Sequence, residues 1–332
     1  KPSNTGKFHI GYQATTGGKA GSIHYYNAYI DITAPTIKIT AYKLNSAGNG
    51  PTGDSIGTKT NADYTGTIWR KFGYYFSLSG SGDNSGGSGI KSMKWQYNTP
   101  GKYTDTAATK KIVKSTSYNA VKNVLFNSSG LRYGKITLYD KAGNSKTVAI
   151  TVLIDKVAPN LSLNLYKYAN GAKSGKSLKK VTETNYSTNT WVNYRYYFDV
   201  TGTTGGSGIK SITLQANAGG AITSNRDLID PVYNITTSLG HGVGSSGNRY
   251  IRVIATDKAG NTTTKNVRLF IDLGKPTLEW GSHRANGSEM TINYKCSDTM
   301  SRWKNSSGTV VSSVTKSVKL TSSGSKQGVC TD

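Results

Sequence analysis

An internal repeat of about 120 residues limits what this chain can fold into more than any other feature. The pattern Asp-x-x-x-Pro recurs with spacings of 124 and 117 residues, at Asp31, Asp155 and Asp272. Two further motifs keep the same order: Gly-Gly-Ser-Gly-Ile-Lys-Ser at 86–92 and 205–211, and Asp-Lys-Ala-Gly-Asn at 140–144 and 257–261. The preserved order of the motifs indicates duplication of a whole domain. The period of about 120 residues is too long for solenoid repeats, which are 20–50 residues long.

The repeat predicts four segments. Residues 1–33 match no other part of the chain, residues 34–157 form a first copy, and residues 158–275 form a second copy. Residues 276–332 form a third copy that stops where the last strand would follow. We expect this third copy to be an incomplete domain with an open sheet edge.

Residue patterning predicts strands within each copy. Apolar and polar residues alternate with period two at 159–166, 249–255 and 267–271, which is typical of half-buried strands. Asp-Lys-Ala-Gly-Asn carries the turn formers of a hairpin connection. Only three residues are Glu, whereas Gly and Tyr number 39 and 22. This composition argues against helical bundles and doubly wound α/β folds, and it favours all-β sandwiches.

The net charge of +24 is distributed along the chain. The four segments carry +2, +11, +8 and +3 in chain order, with no long polybasic run. We expect a self-repelling surface, a monomer, and salt-sensitive attraction to polyanions such as cell-wall polymer. No nucleic-acid-binding signature accompanies the charge, so no specific nucleic acid is predicted. No apolar run reaches the length of a transmembrane segment.

The Asp-x-x-Ala-Pro boundaries, the Ser-Gly-Ile-Lys-Ser turns and the Thr-Asp-Lys-Ala-Gly-Asn hairpin resemble the bacterial Ig-like tandem repeats of Gram-positive cell-surface and adhesin proteins. The resemblance covers roughly residues 34–332. It implies tandem Ig-like β-sandwiches in a bead-on-string array, secreted or displayed outside the cell. An LPxTG-type sorting signal is not present, so any wall anchor is expected in regions outside this chain.

The same resemblance implies a disulfide in the third copy. By alignment to the other copies, Cys296 and Cys330 fall on the second and penultimate strands, which can carry the inter-sheet bridge of Ig domains. An oxidising, extracellular setting agrees with such a bridge. The alternative is a pair of buried free thiols.

Residues 1–33 contain two candidate strands, at 8–12 and 23–31, joined by a glycine-containing segment. They weakly resemble the closing strands of a legume-lectin-like domain. On that hypothesis, a carbohydrate-binding domain precedes this chain. The alternative is an extra hairpin that pads the first copy.

No catalytic, cofactor-binding or metal-binding residues are predicted. The four His and two Cys show no ligand spacing, and the recurring acids occupy linker and turn contexts. Repetition of those acids in every copy argues for structure rather than for a glycosidase pair or a calcium site. Asp227 and Asp230 come closest to a calcium set. A Lys–Asn isopeptide bond between Lys38 and Asn144 is a further hypothesis.

The aromatic residues have two possible roles, packing within the strands and contact with a ligand. Tyr74-Tyr75 and Tyr196-Tyr197 recur at matching strand positions, which favours core and cross-strand packing. Trp95 and Tyr97 are also expected to pack on a strand face, the alternative being contact with a sugar or a protein. The ligand-binding residues are unknown. The sequence thus predicts a non-enzymatic, adhesin-type stalk that supports attachment to host or cell-surface ligands. Alternatively, the Ig-like domains themselves bind a host protein (immunoglobulin or mucin) or an anionic glycan.

Overall fold

The computed structural model describes residues 5–98, 114–217, 238–298, 303–304, 310–311, 313–320 and 327–330. All regular secondary structure within these ranges is β-strand, which confirms the predicted all-β class. The same ranges contain no helix of the length and apolarity that a membrane crossing requires. The chain divides into two compact units. The first comprises Lys1–Ala158 with Thr204–Gly208 and Asp257–Asn261, and the second comprises the remainder.

The N-terminal segment contains two antiparallel strand pairs. Its strands are β1 (Gly6–Tyr12), β2 (Thr15–Thr16), β3 (Lys19–Ala20) and β4 (His24–Ile30), and the short strands β2 and β3 pair with each other. Strand β1 pairs with β4 over its whole length, as the sequence predicts. Tyr25 and Tyr29 on β4 are 70% and 75% exposed. The relationship of this ribbon to a lectin-like domain stays a prediction.

The first copy is a sandwich of two sheets. Its strands are β5 (Lys38–Leu44), β6 (Pro51–Thr60), β7 (Tyr64–Arg70), β8 (Tyr74–Ser77), β9 (Ile90–Tyr97), β10 (Lys114–Tyr118), β11 (Val124–Phe126), β12 (Gly130–Asp140) and β13 (Ser145–Ile154). One sheet has the order β11-β8-β5-β6, and the other has the order β10-β9-β12-β13-β7. Fully buried side chains from both sheets, such as Ile39, Phe76, Met93 and Ile136, form one core.

The second copy repeats this topology. Its strands are β14 (Asn160–Ala169), β15 (Ala172–Val181), β16 (Asn185–Val192), β17 (Arg195–Thr203), β18 (Ile209–Ala216), β19 (Ser238–Val243), β20 (Gly247–Asp257) and β21 (Thr262–Ile271). The sheet orders β19-β17-β14-β15 and β18-β20-β21-β16 match those of the first copy strand for strand, and the segment that corresponds to β10 lies outside the described residues. In each copy one strand pair is parallel, β7 with β13 and β16 with β21.

Alternation of side chains explains why these segments form sandwich strands. Along β20, buried and half-buried residues alternate without interruption. Ile251, Val253 and Ala255 point into the core, while Arg252 and Ile254 are only half-buried. Since successive side chains of a strand point to opposite faces, this pattern places the apolar side chains of Ile251, Val253 and Ala255 on the core face of the strand. The period-two prediction for this segment is therefore confirmed.

The described part of the third copy is smaller. Its strands are β22 (Thr277–Asn286), β23 (Glu289–Ser297), β24 (Trp303–Lys304), β25 (Val310–Val311) and β26 (Ser313–Leu320). Strands β22, β23 and β26 form one antiparallel sheet, and β24 pairs with β25. Among the described residues of this copy, the buried apolar side chains are Tyr294 and Cys296. The predicted domain boundaries stay predictions.

Truncation of Phe76 tests the first core. Its ring is fully buried and lies 5.5–6.2 Å, centroid to centroid, from the rings of Tyr64, Tyr74 and Phe126. We expect Phe76→Ala to lower the free energy of unfolding by about 3–5 kcal/mol, because the cavity loses these contacts. Tyr25→Ala, at an exposed site, is the control and is expected to change it by less than about 0.5 kcal/mol. Urea denaturation measures both, and equal effects would contradict the assigned core.

Candidate functional site

The three repeated motifs meet at one hydrogen-bonded cluster, seen first around Asp155. All residues of this cluster belong to the first compact unit. The backbone N–H of Ser207 donates to Asp155 Oδ2 at 2.7 Å, and the N–H of Val157 donates to Oδ1 at 3.1 Å. Asn261 Nδ2 donates to the Asp155 carbonyl at 2.9 Å and to Asp257 Oδ2 at 2.8 Å. The linker, the glycine-rich turn and the hairpin turn are therefore joined through side chains that recur in sequence.

Two glycines in the turn are required by this geometry. A Cβ atom on Gly206 would lie within 2.7 Å of the Asp155 carboxylate, so no side chain fits there. Gly208 has φ +90°, in the left-handed region that favours glycine. Its carbonyl accepts a hydrogen bond from the N–H of Lys258 at 2.9 Å. The glycine-rich motif thus reflects close packing rather than phosphate binding.

The first copy contains the same cluster around Asp31. Ser88 N–H donates to Asp31 Oδ2 at 2.7 Å, and Asn144 Nδ2 donates to the Asp31 carbonyl at 3.0 Å. Asn144 also donates to both carboxylate oxygens of Asp140, at 2.8 Å each. The hydrogen bonds from Ser88, backbone first and side chain second, hold the pKa of Asp31 below its ordinary value of 3.8.

A third acid joins the first copy's cluster, which sequence reasoning did not anticipate. One carboxylate oxygen from each of Asp31, Asp83 and Asp140 lies within 4.8 Å of the others. Gly89 N–H donates to Asp83 Oδ2 at 2.6 Å, so the Asp83 carboxylate is itself hydrogen-bonded to the glycine-rich turn. Three such oxygens fall short of the six to eight that calcium takes. At the position of Asp83 the second copy has Gly202, so the cluster's hydrogen bonds recur without a third acid.

Lys38 and Asn144 do not come together as an isopeptide bond between them requires. The Asn144 amide is occupied by the Asp31 and Asp140 hydrogen bonds, while the exposed Lys38 side chain lies beside Gly80. This arrangement contradicts the Lys38–Asn144 isopeptide hypothesis. The candidate calcium pair, Asp227 and Asp230, lies outside the described residues.

The two cysteines form the predicted disulfide. Cys296 and Cys330 are bonded, with their Cα atoms 5.6 Å apart, within the usual range for such bridges. Cys296 is on β23, as expected. Cys330 lies in an irregular segment, 327–330, so its predicted place on a strand is wrong. The bridge therefore ties an irregular segment to the sheet.

The recurring tyrosines pack as predicted. Tyr74 and Tyr196 are buried, at 1% and 4% exposure, and Tyr197 stacks on Tyr168 with ring centroids 6.2 Å apart. Trp95 is also buried on the strand face, and its ring stacks on Tyr97 at 5.5 Å. The packing interpretation of Trp95 is thus confirmed, but its ring also borders a cavity.

This cavity, of about 380 Å³, is in the first copy. Trp95, Tyr97, Tyr118 and Phe126 contribute its aromatic lining, and Arg132 contributes its charge. The Arg132 guanidinium lies 5.4 Å from the centroid of the Phe126 ring, and its Nη2 donates to the Asn98 carbonyl at 3.1 Å. Desolvation lowers the pKa of this guanidinium from its ordinary value. We call this space the Arg132 cavity.

Arg132 is buried but incompletely paired. The residue is 4% exposed, yet in the described part of the chain its Nε and Nη1 atoms have no hydrogen-bond partner. Removal of a cation from water without such partners is costly. A repeated Ser-Ser-Gly-x-Arg-Tyr motif, at 128–133 and 245–250, was the sequence signal that would have drawn attention to this residue.

Comparison with known proteins adds little to this description. No protein-family model and no curated protein matches the chain. Among solved structures, it is similar to the N-terminal eight Ig domains of Down syndrome cell adhesion molecule, with 8% identity and a TM-score of 0.24 over 90% of this chain and 40% of that one. It is also similar to Escherichia coli alpha-2-macroglobulin, with 9% identity and a TM-score of 0.21 over 95% of this chain and 22% of that one.

A third similar structure is a putative membrane anchored protein from Corynebacterium diphtheriae, with 9% identity and a TM-score of 0.18 over 80% of this chain and 68% of that one. The chain spans less than half the length of the first two structures. Similarities of this size carry no argument about function. The all-β sandwich fold rests on the strand order described above.

Removal of the Asp155 carboxylate tests the linker cluster. We expect Asp155→Ala to lower the free energy of unfolding by about 2–3 kcal/mol, because the Ser207 and Val157 N–H groups lose a charged acceptor. Asp199→Ala is the matched control, since Asp199 forms a surface ion pair with Lys173 and is expected to contribute less than about 1 kcal/mol. Equal effects in chemical denaturation would contradict the assigned role.

The lowered pKa of Asp31 predicts an acid-dependent contribution to stability. A carboxyl group whose pKa is lower in the folded state stabilises the fold above its unfolded pKa, near 3.9. This contribution is lost as the pH falls through the folded value. We therefore expect the stability difference between wild type and Asp31→Asn to persist at pH 7 and to shrink below about pH 4. NMR titration of Asp31 with a midpoint at or above 3.8 would contradict this.

Proposed function

We propose that this chain is part of a non-enzymatic, secreted or surface-displayed protein of a Gram-positive bacterium, in which Ig-like sandwiches act as an adhesin-type stalk. The observation that carries the proposal is the duplicated sandwich whose repeated polar residues are used in structural hydrogen bonds. Asp31 and Asp155, for example, accept from linker and turn N–H groups in equivalent ways. A module repeated for its fold is suited to spacing one part of a protein from another.

Two further observations support an extracellular location. The Cys296–Cys330 disulfide agrees with an oxidising compartment, where such bridges persist. The distributed charge of +24 favours electrostatic attraction to anionic wall polymers and host glycans.

An alternative function is favoured by a specific observation, the Arg132 cavity. An aromatic lining with one cation is a typical arrangement of a small-ligand site. Under this alternative the first copy is itself a binding module, for a host protein such as immunoglobulin or mucin, or for an anionic glycan. The stalk and the binding module make different predictions about salt.

A binding panel at low and high salt distinguishes the two functions. The full chain is tested against immunoglobulin, mucin, heparin, neutral host glycans and wall polymer. A stalk is expected to bind only the polyanions, and only at low salt, because screened surface charges attract weakly. Saturable binding of one ligand that survives high salt would favour the binding module. Turnover of a glycan or peptidoglycan substrate would contradict both.

A further inference from the structure

Three glycines occupy alternate positions along one strand of the second copy. Gly240 and Gly242 lie on β19, and Gly244 follows the end of this strand. Gly240 and Gly242 pair directly with Asp199 and Tyr197, which alternate with the buried side chains of β17. Since directly opposite residues share a face, these glycines lie on the outer face of the sheet. Glycine within a strand often marks the close approach of another group.

Long side chains from the neighbouring strands β14 and β17 cover these glycines. A Cβ atom added to each glycine would meet one of them at 3.1 Å or less: Tyr197 at Gly240, Tyr168 at Gly242 and Arg195 at Gly244. The rings of Tyr168 and Tyr197 are inclined by only 14°, with centroids 6.2 Å apart. This separation is close to the about 6.7 Å between alternate residues of a strand. We call these three side chains the Tyr-Tyr-Arg row, and it follows β19 for about 13 Å.

The first copy lacks this row, although its strands pair in the same register. The residues that correspond to the three glycines all carry side chains there: Asn123, Leu125 and Asn127. Tyr75 corresponds to Tyr197, but Leu44 and Gly73 stand in the places of Tyr168 and Arg195. The loss of three side chains from one strand and the gain of two long ones beside it thus occur together in one copy.

The charge of the sheet that carries the row is strongly positive. Its four strands, β14, β15, β17 and β19, contain six Lys or Arg residues and one acid, Asp199. This acid is already paired with Lys173 at 2.7 Å. The corresponding sheet of the first copy contains three Lys residues and one acid. Because Lys173, Lys180 and Arg195 are exposed, the sheet of the second copy is complementary to a polyanion.

The chemistry of the row identifies the class of polyanion. Tyr168 and Tyr197 are half-buried, so each ring lies against the sheet and remains partly open to a ligand. Open aromatic rings pack against the C–H faces of sugar rings, and the planar guanidinium of Arg195 matches a carboxylate. A polymer that alternates carboxylated and uncharged sugars presents both groups to such a row. The Cys296–Cys330 disulfide agrees with an extracellular setting, in which such polysaccharides occur.

We propose that the Tyr-Tyr-Arg row of the second copy binds a uronic-acid polysaccharide, with sugar rings against Tyr168 and Tyr197 and a carboxylate paired to Arg195. This inference goes beyond the proposed function, which assigns no site to the second copy, and it rests on the Ig-like domains being a binding module. The distributed positive charge attracts the polymer at low salt, and the row provides the contacts that salt does not screen.

Titration of the full chain with a hyaluronan hexasaccharide, in which glucuronate alternates with N-acetylglucosamine, tests the proposal. Chitohexaose is the uncharged match, and an acidic peptide of the same charge is the match without sugar rings. Oligo(dT) tests whether the row instead binds single-stranded nucleic acid. At physiological salt we expect saturable hyaluronan binding with a Kd of about 0.1–1 mM, and binding of the three controls at least about tenfold weaker. Calorimetry or amide NMR shifts measure these affinities.

Matched variants place the binding site on the second copy. Tyr168→Ala and Arg195→Gln are each expected to weaken hyaluronan binding at least about fivefold. The same changes in the first copy, Tyr75→Ala and Lys91→Gln, are expected to weaken it less than about twofold. Lys91→Gln removes the same charge as Arg195→Gln from another exposed position, so it measures the unspecific attraction. Thermal unfolding checks that all four variants fold, and Arg195→Gln changes an exposed residue, so it tests the row even if Tyr168→Ala lowers stability.

Three results overturn the inference: no saturable hyaluronan binding up to about 10 mM at physiological salt, a control ligand that binds as tightly, or equal effects of Arg195→Gln and Lys91→Gln. Failure of this inference is distinguishable from failure of the proposed function. A chain that ignores hyaluronan but binds another ligand of the panel at high salt retains the binding-module function with a different site. Hyaluronan binding that occurs only at low salt and is insensitive to Arg195→Gln overturns the inference and retains the stalk.

Discussion

The structure depends on one repeated interaction, the hydrogen bond from a turn N–H to the carboxylate of a linker aspartate. Ser88 donates to Asp31 and Ser207 donates to Asp155, at 2.7 Å in both copies. Asn144 and Asn261 then join the same linker to the hairpin turn. Since each of these residues comes from a different motif, the interaction explains why three short motifs, far apart in sequence, are duplicated together. It also gives the acids that recur in each copy a structural role.

Much of this fold was predictable because its determinants are local. Period-two alternation marks β14, β20 and β21, and the turn residues of Asp-Lys-Ala-Gly-Asn mark the hairpin that joins β20 to β21. Contacts between distant segments were not predictable in the same way. Asp83 meets Asp31 only through the turn that carries it, and nothing in its local sequence indicates this. Cys330 pairs as the alignment implied but lies outside any strand, because alignment transfers position and not conformation.

The Arg132 cavity illustrates a second limit of sequence reasoning. The motif that contains the arginine is the same in both copies, and so is the depth of burial. Arg249 donates to the backbone carbonyls of Ser245 and Ser246, whereas Nε and Nη1 of Arg132 have no partner in the described part of the chain. Because the motif is the same in both copies, its sequence does not indicate this difference in pairing. The two copies thus differ in the pairing of this guanidinium while the shared linker cluster stays unchanged.

Hydrogen exchange of the Ser88 and Ser207 amides measures the central interaction most directly. Both N–H groups lie in turns, where unpaired amides exchange quickly, but here each donates to a linker carboxylate. The account predicts that both exchange as slowly as amides inside the neighbouring strands β9 and β18. Exchange of both at the rate of an open turn would contradict it, because the hydrogen bond that joins the glycine-rich turn to the linker aspartate would then not protect either amide.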